Sequence, residues 1–64
     1  MSDDQLRERA LQLFRPLVER QIPAARVEQA VDEFRTLVST KKATELLNMP
    51  IPGPDGEEII KKYK

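Results

Sequence analysis

Val27, Ala30, Val31, Phe34, Leu37 and Val38 recur at spacings of three and four residues. A half-buried strand alternates every second residue, so this spacing selects an α-helix with one apolar face. Arg26, Glu28, Gln29, Asp32, Glu33 and Arg35 fill the opposite face. Pro23 opens the segment and Ser39-Thr40 interrupts it, which predicts a helix over 23–38 that the rest of the chain packs around.

A second apolar pattern comes before it. Leu6, Ala10, Leu13 and Leu17 form one stripe, Leu11, Val18 and Ile22 form another, and Phe14 bridges the two. At about 100° per residue they cover roughly half the circumference of a helix over 3–21, wider than a single neighbour needs. Ser2 and Gln5 have the spacing of a capping box, and Asp3-Asp4 suit the positive end of a helix. Pro16 removes a backbone donor and crowds the preceding turn, yet the apolar phase runs through it unshifted. One kinked helix is the expectation. Gln21-Ile22 is so short a connection that the two helices form an antiparallel hairpin.

After Val38 the phase changes. Ala43, Leu46 and Leu47 would point away from the Val27–Val38 stripe if the helix continued. A break at Ser39-Thr40, with either residue capping a short third helix over 41–48, resolves this. Asn48 and Pro50 end that helix. Pro50, Pro52 and Pro54 predict extended, polyproline-like backbone in a link over 50–56. Asp55 and Glu58 then predict a capped last helix over 57–64, with Glu57–Lys61 and Glu58–Lys62 as favourable i,i+4 pairs. The fold class is therefore all-α: an antiparallel helical hairpin plus one or two short C-terminal helices. The helical core spans 1–49, the proline-rich link 50–56 and the short last helix 57–64.

Size bears on how such a fold is held. A 64-residue chain buries only about 60% of the surface its unfolded form exposes. Disulfides, metals or association commonly make up the difference. Cysteine and histidine are both absent, which leaves completion of a bundle by oligomerisation or by docking to a partner. Leu6, Leu13, Phe14, Leu17, Val27, Val31, Phe34 and Val38 are the expected core. Leu11, Val18, Ile22 and Leu37, at the margins of the stripes, are the expected interface. Ile51, Ile59, Ile60 and Tyr63 are a second set on the tail, which either folds back over the hairpin or docks on a partner.

Enzyme chemistry finds little support. Serine and threonine nucleophiles lack a histidine base. Asp32-Glu33 and Glu57-Glu58 fall on polar faces, where nothing separates their pKa values. Glu28 and Asp32 stand one turn apart, but the Glu-x-x-His partner of a bundle metal site is missing. The Asp55 region lacks EF-hand spacing, and Gly53 and Gly56 do not form a phosphate loop. No catalytic, cofactor or metal residue is expected, and no enzyme.

Eleven basic and eleven acidic residues cancel, so no global field draws in nucleic acid or an anionic membrane. No apolar run reaches the length of a membrane span, and the lack of cysteine places the chain in the cytoplasm. The expected function is that of a small helical interaction or regulatory protein, binding a second copy as a homo-oligomer or a larger protein through apolar helix faces. A minor accessory subunit of a larger enzyme complex would leave the same traces. A helix-turn-helix-like DNA-binding protein using 40–64, with Lys41, Lys42, Lys61, Lys62 and Lys64 as contacts, is the rival. Its turn reads as too long and too proline-rich, and Glu57 and Glu58 stand where basic groups belong. All six arginines lie at or before Arg35 and all five lysines at or after Lys41; arginine suits interfaces better, which favours the first two helices.

Overall fold

The computed structural model describes residues 2–64, which form four helices and no strand: α1 (Asp3–Gln21), α2 (Ala24–Ser39), α3 (Ala43–Asn48) and α4 (Gly53–Tyr63). The chain is all-α, as its periodicities predict. Ser2 caps α1 through the capping box: its hydroxyl accepts the Gln5 backbone N–H at 3.3 Å, and Gln5 Oε1 accepts the Ser2 N–H at 3.2 Å. The helix runs through Pro16 without a break. It closes where the Ile22 N–H donates to the Val18 carbonyl at 2.9 Å, and Ile22-Pro23 turns the chain into α2.

Three boundaries differ from the sequence reading. Ser39 and Thr40 finish α2 instead of capping α3: their hydroxyls donate back to the Thr36 and Leu37 carbonyls, each at 2.7 Å. Hydroxyls so used satisfy orphan carbonyls at a helix end. Helix α3 accordingly starts at Ala43, with Lys42 as its cap and no side-chain capping bond. The third difference is the largest. Helix α4 begins at Gly53, inside the stretch read as an extended link, and the connection shrinks to Met49–Pro52. Gly53 takes φ +67°, in the left-handed region that costs glycine nothing. Pro54 occupies the first turn, where its missing N–H would have had no partner anyway. Asp55 lies within that turn and does not cap it.

Helices α1 and α2 pack along their length, α4 lies chiefly on α2 and also touches α1, and α3 lies on α1. The centre is the pair Phe14 and Phe34, both fully buried and stacked with centroids 4.0 Å apart and planes 8° from parallel. Such a pair contributes about 0.5–1.5 kcal/mol beyond its area. Gly56 brings α4 onto this pair. A methyl group there would lie 2.8 Å from Pro52 Cβ and 3.2 Å from Phe14 Cε1, so only glycine permits the approach.

The tail thus folds back over its own hairpin. Ile60 is buried, and Ile51, Ile59 and Tyr63 pack half-buried against the core. The assignment of α1 side chains is corrected too. Leu11, Val18 and Ile22, read as interface, are buried in the core, whereas Leu13, read as core, is 50% exposed and Leu17 only half-buried. The physical reason is direction. At about 100° per residue, Leu11, Phe14 and Val18 point toward α2, with Phe14 also meeting Gly56 of α4, and Leu13 points well outside that arc.

Candidate partner-binding surface

Leu13 and Leu47 are the exposed large hydrophobic side chains among the described residues, at 50% and 64%. They lie on different helices and line one recess of about 100 Å³, floored by Leu6, Ala10 and Leu46 and closed by Met49 and Ile51. Each arrives there for a local reason. Leu46 and Leu47 are adjacent on a six-residue helix, so burying Leu46 against α1 turns Leu47 outward. Met49 and Ile51 come from the link, which Pro50 and Pro52 hold over the α1–α3 seam. Arg9 stands at the rim, one turn before Leu13.

Met49 also lines a shallower depression of about 370 Å³, between Lys41 and Glu45 on one side and Pro50, Pro52 and Pro54 on the other. Asp55 joins Lys41 and Glu45 in its lining, so its walls combine three prolines with three charged side chains. Among the described residues no group of three acidic side chains is placed to hold a metal ion, and no helix is long and apolar enough to cross a membrane.

Most charge pairs serve the fold and stay away from the recess. Arg7 pairs with Asp4 at 3.3 Å and donates from Nε to the Val38 carbonyl and from Nη2 to the Lys41 carbonyl, each at 3.4 Å. It therefore ties the end of α2 to α1. Arg15 meets Glu28 at 2.9 Å across the hairpin, and Arg35 meets Asp32 at 3.2 Å. Lys62 reaches from α4 to Glu33 on α2 at 2.7 Å, and Arg26 donates to the Tyr63 carbonyl at 3.5 Å. Hydrogen bonding from Lys62 holds the Glu33 carboxyl below its ordinary range, and Arg15 does the same for Glu28. The Glu33 carboxylate in turn pushes the Tyr63 phenol up. Glu33 Oε2 is itself buried at this latch.

Of the residues expected at a partner interface, Ile51 alone lines the recess, beside Leu6 and Leu13 from the expected core. Leu37 is half-buried on α2; Leu11, Val18, Ile22 and Ile60 are inside, and Ile59 and Tyr63 are half-buried on α4 against the core. The lysines divide into two groups at opposite ends of α2. Lys41 and Lys42 precede α3, while Lys61, Lys62 and Lys64 sit at the end of α4, near Arg26, with Lys62 engaged by Glu33. Arg26 and Val38 are about 18 Å apart along α2 at 1.5 Å per residue. The four-residue connection Met49–Pro52 is shorter than the sequence suggests and falls within helix-turn-helix length. The start of α4 is nonetheless acidic, with Asp55, Glu57 and Glu58.

Leu13, Leu47 and Met49 were missed as surface. The signals were an apolar arc on α1 wider than one neighbour covers, and a Leu-Leu pair on a helix too short to bury both. No family model, curated protein or solved structure matches the chain.

Proposed function

We propose that this chain is a small, non-enzymatic interaction module of the cytoplasm that engages a protein partner through the α1–α3 surface. The carrying observation is the placement of its two exposed leucines, Leu13 and Leu47, on one recess. Scattered surface leucines need no explanation, but adjacent ones on a concave surface mark interaction sites. The closed core bears on what is being bound. With the tail packed over the hairpin, the wide apolar arc of α1 is largely satisfied within one chain, so the surface is free for recognition.

A photocrosslinking amino acid placed at Leu47 tests this, with the same group at Ala25, exposed on α2, as reference. In cells, adducts with protein are expected from position 47 and not from position 25. Equal adducts at both positions, or none at 47, would overturn the reading. DNA binding is the second reading, favoured by the short Met49–Pro52 connection. A fluorescence anisotropy titration with duplex DNA checks it: electrostatic binding must weaken steeply as salt rises, and a flat response at low salt removes it.

A further inference from the structure

The six arginines divide by face. Arg7, Arg15 and Arg35 make ion pairs within the chain, and Arg26 donates to the Tyr63 carbonyl. The two left without any such partner among the described residues are Arg9 and Arg20, four residues before and seven after Leu13. On a helix those spacings put all three on one face, and Arg20 is exposed. At about 100° per residue the acidic residues of α1 fall off this face: Asp4, Glu8 and Glu19 lie more than about 100° from Leu13, and Asp3, in the first turn, lies about 80° away. The helix therefore presents an apolar centre with a free cation about 6 Å to one side and another about 10 Å to the other, at 1.5 Å per residue.

Two arguments select the occupant. A second copy would bring the same two arginines and no carboxylate of α1 between them, the nearest being Asp3 in the first turn, so a self-paired face sets cation chiefly against cation. Size points the same way. A stable protein–protein interface takes about 800 Å² from each partner, close to a fifth of this chain's 4406 Å² surface, whereas the exposed apolar area centres on two leucines. A single amphipathic helix laid in a groove needs only a few apolar anchors.

Building on the interaction-module reading, we propose that the occupant is an acidic amphipathic helical segment of another protein. Its apolar side chains, one turn apart, fill the Leu13–Leu47 recess. Its carboxylates, about eleven residues apart to match Arg9 and Arg20, flank them. Free arginine is the side chain best suited to such pairing, because its fork meets a carboxylate bidentately.

The test uses two synthetic helical peptides with identical leucine positions, one flanked by glutamates and one by lysines, titrated against the full chain by fluorescence anisotropy. The glutamate peptide is expected to bind and to weaken with salt, and the lysine peptide to bind at least about tenfold more weakly. The exposed Arg9→Glu/Arg20→Glu variant, its fold checked by circular dichroism, should reverse that preference. Leu13→Asp should abolish both. Equal binding of the two peptides, or none up to about 1 mM, overturns the proposal. So does sedimentation equilibrium showing self-association that Leu13→Asp removes and the arginine variant leaves intact. That last result would spare the interaction-module reading, which falls only with the crosslinks at position 47.

Discussion

Leu11 and Leu13 are the same residue, two positions apart on α1; one is 9% exposed inside the core and the other 50% exposed at the rim of a recess. Their intrinsic hydrophobicity is identical, so the difference comes from where the other helices stand. Leu11 shares its direction with Phe14 and Val18, where α2 packs along the helix, while Leu13 faces the seam with α3. A substitution on the first side therefore acts on folding, and one on the second acts on recognition.

The sharpest way to break the comparison is on the core side. Phe14→Ala removes a fully buried ring and its stack on Phe34, a loss of about 3–5 kcal/mol. At roughly 0.05–0.15 kcal/mol per residue that rivals the whole stability of a chain this size, so far-UV circular dichroism at 25 °C should show largely unfolded protein. Gly56→Ala comes next. The added methyl meets Pro52 Cβ at 2.8 Å, and a rigid ring cannot yield, so the first turn of α4 must distort, at a cost of about 1–3 kcal/mol. A urea midpoint lowered accordingly checks it. Leu13→Asn with Leu47→Asn should move stability by no more than about 0.5 kcal/mol while abolishing binding of the glutamate-flanked peptide. A double variant that unfolds would erase the distinction between the two sides.

Acidification gives the smallest effect. Glu28 and Glu33 have carboxyl groups held below their ordinary value by Arg15 and Lys62. A carboxyl depressed in the folded state stabilises above its unfolded pKa, and that contribution disappears as pH falls through the folded value. Urea midpoints should therefore decline below about pH 4.5. Glu28→Gln with Glu33→Gln should flatten that decline only slightly, since the Arg15–Glu28 pair is exposed and the Lys62–Glu33 pair only half-buried.

Helix identity was legible wherever periodicity was long. The α1 and α2 stripes, the Ser2–Gln5 cap and the hairpin turn all follow from local spacing. What local spacing cannot show is which half of a wide apolar arc is covered, because that depends on the register of α4 against α1 and α2. Hence Leu13 exchanged places with Leu11 and Val18. The proline run misled for a related reason: Pro54 reads equally well as extended backbone or as the first turn of a helix, and the close seat of Gly56 on Phe14 decides between them. The recess needs residues from α1, α3 and the link at once, so no single stretch announced it.

The six residues of α3 carry one buried side chain, Leu46, and a helix that short has no stability of its own. Its amides should exchange with solvent deuterium far faster than those of α1, through openings that leave the Phe14–Phe34 centre intact. The two walls of the recess are therefore unequal: Leu13 stands on a rigid post and Leu47 on a hinged one. An occupant would have to immobilise α3, giving up part of its affinity to order that wall. Slowed exchange at Leu46 and Leu47 would register its arrival even where the average structure stays the same.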